Sequence, residues 1–445
     1  MIIRSISGVR GLIDTHLTTK VIQAYARAFH IHIKPGLVFI GRDSRPSGED
    51  LLDNFVNELV RLGRDVIICG VAPTPTVQFM VERSEAAGGI IITASHNPIE
   101  WNGIKFVRGD GTFFYPNDCE KLFELFDKDK SLDDAETPGM VFPDQNSILK
   151  HTIHTIELSC INQKTIRDRH FKVAIDAVNG AGSEALPLLI EYLGCEVIKI
   201  YCEGNGEFNR GTEPLPENLN DLGKIVVENN ADVGFAVDPD ADRLAVVDET
   251  GKPIGEEYTL ALAVEGYINN KKEEEIFVTN LSSSMALDKL AEKHDCIVER
   301  SAVGEINVVQ KMLALNSKLG GEGNGGVILK ESHLGRDSLV GVAMVLNRMA
   351  QEETKISKIH SKLPQFFMVK DKIILDSIDK DLVEKKVKEL FSDAEINSID
   401  GLKLIWKDRW IHIRGSNTEP IMRIYAEASS KKEAEILVEQ VKACL

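Results

Sequence analysis

The chain has 445 residues, 43% hydrophobic and 27% charged, which supplies enough apolar material to fold without a metal or disulfide staple. Its formal charge of −17 argues against general nucleic-acid binding, which wants a basic face, but allows a local basic cleft for a small anionic substrate. Seven cysteines with no CxxC pair, no apolar run near the ~18 residues of a membrane span and no apolar core in the opening "MIIRSISGVRG" predict a cytoplasmic protein without disulfides, structural zinc, signal peptide or membrane contact.

The first clear unit is "LVFIGRDSRPSGEDLLDNFVNELVRLGRDVIICG" (37–70). An apolar run ends in a polar loop, and a helix follows with Leu51, Leu52, Phe55, Val56, Leu59 and Val60 on one face. After Gly63 a second apolar run begins, completing a βαβ pattern. "GGIIITASHNP" (88–98) reads as a buried strand running into a polar turn. Ser95 and His96 sit side by side in that turn. The stretch lacks Gly-x-Ser-x-Gly and successive side chains diverge, so neither a nucleophile elbow nor a Ser–His dyad is expected. Taken alone, Ser95 is a loop serine. Lys105, in "WNGIKF", adds a cation that could hold a phosphate oxygen or transfer a proton. The polar, acidic stretch 127–147 is read as the separator between a first and a second domain.

"FKVAIDAVNGAGSEALPLLIEYLGCEVIKIY" (171–201) repeats the order strand, Gly-rich loop, helix, strand, and "EIFVTNLSSSMALDKLAEKHDCIVERS" (275–301) repeats it again. The spacing is too wide for a solenoid, so three related α/β domains in series are expected, their parallel strands covered on both faces. Between the last two lies "GFAVDPDADRLAVVDE" (234–249). Asp238, Asp240 and Asp242 alternate, and in an extended segment period two would turn all three carboxylates to one side. Two unit charges 4 Å apart repel by about 4 kcal/mol at an effective dielectric of 20. Three carboxylates therefore call for a hard cation, Mg²⁺ first, with Mn²⁺ or Ca²⁺ as alternatives. An EF-hand fails because Arg243 stands where the loop needs glycine and the flanks read as strands. The plainer alternative is a solvated acidic turn.

"LGGEGNGGVIL" (319–329) sets five glycines around Glu322 and Asn324. It lacks the Gly-Lys-Ser/Thr of a P-loop. Glu322 and Asn324 could face one way and hydrogen-bond sugar hydroxyls, and a tight turn is an equal reading. The last 80 or so residues change character: "LVEKKVKELF" is helical, "GLKLIWKD", "RWIHIRGS" and "IMRIYAEA" are strands, and "KKEAEILVEQVKACL" is a closing helix. A small α+β domain with an antiparallel sheet follows. Within it "IRGSNTEPIMRI" (413–424) offers Arg414, Ser416, Asn417, Thr418 and Arg423, either a phosphate grip or an ordinary hairpin.

Taken together, "SGVRG", "TASHNP", "DPDADR", "GGEGNGG" and "RGSNTEP" resemble, in this order and over essentially the whole chain, the α-D-phosphohexomutases: phosphoglucomutase, phosphomannomutase and phosphoglucosamine mutase. The resemblance implies an α/β protein of four domains around a central cleft, three related α/β domains with mixed sheets and a small α+β C-terminal domain. The boundaries expected are 1–148, carrying a phosphoserine loop, 149–251 a metal loop, 252–362 a sugar loop and 363–445 a phosphate loop. It implies that Ser95 is carried as a phosphoserine whose phosphoryl oxygen joins Asp238, Asp240 and Asp242 around one Mg²⁺. Glu322, with Asn324, would read the sugar. Arg414, Ser416, Asn417 and Thr418, with Arg423 beyond, would hold the non-reacting phosphate. Arg10, Arg243, Lys105 and His96 would line the active site, Lys105 as an acid/base candidate.

The implied reaction interconverts hexose 6-phosphate and hexose 1-phosphate through a hexose 1,6-bisphosphate, with small sugar phosphates as partners and no nucleic acid or membrane. The length, "SGVRG", and "SAVGE" before "GGEGNGG" look most like bacterial sequences of the phosphoglucosamine mutase type, which favours glucosamine 6-phosphate over glucose or mannose phosphates. Two departures stand out. Many members have Gly-Glu-x-Ser-Gly-His in the sugar loop, where this chain has Asn324 and Gly326, leaving His333 as the nearby histidine. Trp101 precedes "NGIK" where others carry a polar or smaller aromatic residue. Two rival classes are a metal-dependent phosphatase using Ser95 as nucleophile and a non-catalytic sugar-phosphate sensor, against which the intact Ser95 and three aspartates argue.

Overall fold

The computed structural model describes residues 2–268, 275–374, 380–415 and 421–444. The chain divides into two compact units. One comprises Met1–Lys271 with Asn324–His360, and the other Lys272–Gly323 with Ser361–Leu445.

The first unit contains a seven-stranded mixed sheet, in the order Ile3–Ser5, Gly8–Leu12, Trp101–Arg108, Gly88–Ile92, Val38–Arg42, Val66–Val71, Val141–Pro143. The βαβ unit read at 37–70 is the parallel pair Val38–Arg42 and Val66–Val71 joined by the helix Gly48–Arg61. Every residue of Gly88–Ile92 is buried, because both faces of the sheet are covered. On one face Ile40, Ile90 and Ile92 pack with Tyr25, Phe29, Phe55 and Leu59. On the other, Gly41 and Gly89 leave room for helix Thr74–Glu82: a Cβ on either would lie 2.5 Å from Val77 Cγ2 and 2.7 Å from Val81 Cγ2 respectively. The stretch 127–147, expected as a separator, ends in a seventh strand. Val141–Pro143 pairs in parallel with Val66–Val71 through Val66 and Val141, an edge addition too short to show a sequence pattern.

The second repeat also folds as read. Lys172–Asp176, helix Gly182–Tyr192 and Glu196–Ile200 make a parallel crossover. The sheet continues through Val233–Val237 and the antiparallel Leu244–Asp248. In the second unit, Ile276–Asn280, helix Ala286–Lys293 and Ile297–Ser301 form the third crossover, with Leu319–Glu322 parallel on the other side of Ile276–Asn280. Its remaining sheet is antiparallel throughout, in the order Phe367–Ile374, Ile421–Ala428, Trp410–Gly415, Leu402–Ile405, Glu395–Asn397. Helix Lys431–Lys442 buries Ala434, Leu437, Val438 and Val441 in the same core. All seven cysteines are free thiols, and among the described residues no helix is long and apolar enough to cross a membrane.

A buried carboxylate, Asp337, ties the first unit together. Its Oδ1 caps helix Ser338–Glu352 by accepting from Leu339 N at 2.9 Å and Val340 N at 3.3 Å. Its Oδ2 lies 3.0 Å from His151 Nε2 and 3.2 Å from His333 Nε2. With Nε2 donating, His151 Nδ1 is left to accept from the Thr76 hydroxyl at 3.0 Å. His333 is thus a fully buried partner of Asp337, and it does not replace the histidine absent at Gly326. Burial alone would raise the Asp337 carboxyl, but His151 and then His333 outweigh it and hold it well below the usual carboxylate range. A depressed folded-state value means that its stabilisation is fully present above the unfolded value near ~3.9 and is lost as pH falls towards the folded one. Asp337→Asn, which keeps a capping oxygen, is expected to cost about 3 kcal/mol at neutral pH. Denaturant titrations should show the gap between wild type and variant closing below about pH 4; equal stabilities at neutral pH would contradict the role given to Asp337.

Candidate active site

The turn after Gly88–Ile92 is held by a chain of buried polar groups that the sequence reading passed over as a polar loop. Asp43 Oδ2 accepts from Thr93 Oγ1 at 2.6 Å, and Thr93 Oγ1 accepts from Ser95 N at 2.9 Å. Arg45, fully buried, pairs with Asp43 at 3.1 Å and donates through Nη2 to the carbonyls of Ser95 at 2.6 Å and Asn97 at 2.8 Å. Ser95 is thereby fixed at a φ of +51°, in the left-handed region. That backbone brings neighbouring side chains together: Ser95 Oγ lies 3.3 Å from His96 Nδ1, closer than the divergence expected of successive residues. The imidazole is still no base for the serine, because its Nδ1 already accepts from Arg243 Nη2 at 3.0 Å. Burial, then Arg243 and Arg10, keep His96 well below the usual histidine value and therefore neutral. Arg10, on Gly8–Leu12, reaches the same turn by donating to Asn97 Oδ1 at 2.8 Å.

The three aspartates converge, though not by the route expected. Residues 238–243 are a turn between Val233–Val237 and Leu244–Asp248, and no extended strand runs through them. Ala241 takes a φ of +54°, and its N donates to Asp238 O at 3.0 Å. Chain reversal, and not period two, gathers the carboxylates, which bring one oxygen each within 4.8 Å of the others. Each carboxylate has an anchored side. Asp238 Oδ1 accepts from the backbone N of Asp242 and of Arg243, both at 3.2 Å. Asp240 Oδ2 accepts from Thr74 Oγ1 at 2.8 Å and Lys105 Nζ at 2.6 Å. Asp242 Oδ2 accepts from Arg336 Nη2 at 2.7 Å and Lys105 Nζ at 3.3 Å. Ser95 Oγ donates to Asp238 Oδ2 at 3.3 Å, so the serine turn and the aspartate turn form one site.

Charge within this site is finely opposed. Burial, then Asp242 and Asp240, push the Asp238 carboxyl well above the usual range. At Asp240 burial is outweighed by Lys105, by charge and hydrogen bond, and by Thr74, and the group is held low. Asp242 is also held low, chiefly by Arg336 against its burial. Lys105 sits above the usual lysine value, since Asp240 and Asp242 overcome its desolvation. The donor set suits a hard divalent cation: Asp240 Oδ1 and Asp242 Oδ1 are buried and accept no hydrogen bond, while their partner oxygens are fixed by protein donors. Arg336 and Thr74 were missed in the sequence; the only hint was "GRDS" at the start of a helical run.

The other expected residues fall as follows. Glu322 ends the strand Leu319–Glu322 in the second unit, where it is buried and accepts from Asn280 Nδ2 at 2.7 Å and Gly304 N at 3.0 Å. Asn324 lies in the turn that follows, its Oδ1 accepting from Gly326 N at 3.3 Å, so the two do not share one face of an extended segment. Arg414 and Arg423 are direct partners across Trp410–Gly415 and Ile421–Ala428, and Arg414 Nη1 is 3.6 Å from Asp400 Oδ2. Ser416, Asn417 and Thr418 lie outside the described residues.

Replacing Asp240 by Asn removes one anion from the cluster and weakens Lys105's hold on the site. Magnesium affinity measured by calorimetry should fall by at least about tenfold, with the fold intact by circular dichroism; unchanged affinity would dismiss the carboxylates as a metal site.

Known proteins resemble the chain over nearly its whole length. The chain matches the phosphoglucomutase/phosphomannomutase α/β/α domains I, II and III over residues 2–133, 150–251 and 255–367, and the C-terminal domain over 370–443. It is 35% identical over 435 residues to a phosphoglucomutase/phosphomannomutase of Thermococcus kodakarensis, covering 96% of this chain and 94% of that one. It is 31% identical over 448 residues to a probable phosphoglucosamine mutase of Methanopyrus kandleri, covering 99% and 97%. A crystal structure of a phosphoglucomutase/phosphomannomutase family protein from Burkholderia thailandensis shares the fold, with a TM-score of 0.87 at 24% identity over 99% of this chain and 97% of that one. The chain therefore belongs to the phosphoglucomutase/phosphomannomutase family, the α-D-phosphohexomutases.

Proposed function

We propose that the protein interconverts a hexose 6-phosphate and a hexose 1-phosphate, with glucosamine 6-phosphate as the preferred substrate, and that Ser95 carries the phosphoryl group between the two positions. The observation that supports this most directly is the 3.3 Å contact of Ser95 Oγ with Asp238 Oδ2, which sets a hydroxyl at the edge of a buried carboxylate cluster ringed by Lys105, Arg243 and Arg336. In this reading residues 1–148 hold the phosphoserine, 149–251 the metal loop, 252–362 the sugar loop and 363–445 the phosphate grip of Arg414, Ser416, Asn417, Thr418 and Arg423.

Phosphoryl transfer asks a protein for position and charge more than for covalent help. A sugar hydroxyl oxygen attacks the phosphoserine phosphorus, its bond to phosphorus forms as the Ser95 Oγ–P bond breaks, and the proton given up by the sugar hydroxyl is balanced by the one that returns Ser95 Oγ to a hydroxyl. The bisphosphorylated sugar then returns its other phosphoryl group to Ser95 by the reverse exchange. Asp238, Asp240 and Asp242 would hold one Mg²⁺, which when bound neutralises charge on the transferring group. Arg45 and Asp43 fix the serine turn, so the oxygen is presented at one place in both half-reactions. Arg243, which fixes His96 in its neutral form, and Arg10 add positive charge where phosphoryl oxygens gather. Ser95 is 1% exposed, which favours exchange between sugars over attack by water.

The choice of glucosamine rests on the sequence motifs and on relatives bearing the phosphoglucosamine mutase name. A coupled assay with Mg²⁺ across glucosamine, glucose and mannose 6-phosphates tests it, and a higher kcat/KM for glucose or mannose phosphate would reassign the substrate. Ser95→Ala should cut turnover by at least about a thousandfold with the fold intact; substantial residual activity would sink the phosphoserine. Stoichiometric release of inorganic phosphate, without stimulation by a hexose 1,6-bisphosphate, would instead identify a phosphatase. Arg414→Ala should raise KM about tenfold or more if it grips the distant phosphate, and unchanged kinetics would remove it from the site.

A further inference from the structure

We propose that Arg336 is a positioning residue of this site, and that Gly326 is a glycine in order to make room for it. Gly326 opens the strand Gly326–Leu329, and its backbone does not lie in the left-handed region, so conformation does not require glycine there. Space does. A Cβ at this position would stand 2.2 Å from Arg336 Cδ and 2.8 Å from Arg336 Cγ. The aliphatic part of Arg336 therefore fills the volume that any side chain at 326 would take. This is the position where the resembling family often carries histidine.

The guanidinium beyond that stem is buried and aimed at the site. Arg336 is 8% exposed, and its Nη2 donates to Asp242 Oδ2 at 2.7 Å. That bond leaves Asp242 Oδ1, which accepts no hydrogen bond, turned away from the clamp. Asp242 thus resembles Asp240, with one oxygen fixed by protein donors and the other accepting no hydrogen bond. The stem is rigidly based. Asp337 N donates to Val327 O at 2.8 Å, and Asp337 itself caps the helix and receives His151 and His333. Arg336 is thus held between two anchored neighbours, Gly326 beneath it and Asp337 beside it.

A guanidinium stays charged at any working pH and has no acceptor, so it cannot shuttle a proton as an imidazole can. Its work at this position is to orient Asp242 and to add a permanent positive charge opposite the transferring phosphoryl group. The Gly326–Arg336 pair thereby exchanges a titratable residue for a fixed cation. The catalytic part of this inference rests on the mutase reading; the part concerning Asp242 does not.

The test uses R336Q, R336K, G326A and the double variant G326A/R336Q of the full chain, with magnesium affinity by calorimetry and kcat and KM in the coupled assay. R336Q should lower magnesium affinity about tenfold or more and lower kcat with little change in KM, and R336K should recover part of both. G326A alters no charged group, yet should reproduce the R336Q losses by driving the arginine off Asp242. The double variant should be no worse than the poorer single variant. Wild-type affinity and kcat in folded R336Q, an unimpaired G326A, or additive losses in the double variant would each overturn the proposal. Should R336Q fail to fold, G326A alone decides. A wild-type protein that turns over no hexose phosphate would refute the mutase reading, and the magnesium measurements would still decide whether Arg336 positions Asp242.

Discussion

Three carboxylates buried within a few ångströms of one another are the constraint around which the first unit is organised. Each pair repels by several kcal/mol even at a generous effective dielectric, and desolvation adds to the cost. The chain meets this in two ways. It brings Lys105 from one strand, Arg243 from the end of the turn and Arg336 from a helix start to the same carboxylates. It also spends backbone N–H groups on Asp238. The protonation preferences follow from this division: Asp240 and Asp242, which touch the cations most closely, are held low, while Asp238 is pushed high. A divalent cation would add charge where those three cations leave Asp240 Oδ1 and Asp242 Oδ1 without a hydrogen bond.

The crossover units were legible because a strand, a loop with glycine or small polar residues and an amphipathic helix leave strong periodic signals. The antiparallel C-terminal sheet was legible for the same reason. The chemistry was legible where several like groups crowd a short stretch, as at Asp238, Asp240 and Asp242. Their grouping was read correctly, yet its cause was not. The alternating spacing suggested a strand, whereas the structure uses a turn with Ala241 in the left-handed region, a tertiary choice that no period encodes.

What stayed hidden were groups that act across long sequence separations. Arg45 serves Ser95 from 50 residues away, Thr74 serves Asp240 from 166, and Arg336 serves Asp242 from 94. Such residues carry no local signature, since a buried arginine and an exposed one look alike in a sequence. His333 shows the converse. It lies near the expected place in the chain, but its ring is committed to Asp337. Proximity along the chain is a poor guide to who meets whom, and the rigid α/β frame decides it.

Ser95 and Ala241 both sit at left-handed backbone angles without being glycine, each at a cost of about 1–2 kcal/mol. Glycine would remove that cost and also widen the range of shapes open to each loop before it folds. The two turns that meet at the site are thus kept slightly uncomfortable and correspondingly narrow in their choice of shape. If Ser95 carries the phosphoryl group as proposed, an oxygen that must face two chemically different ends of one sugar gains from a loop that has little else it can do.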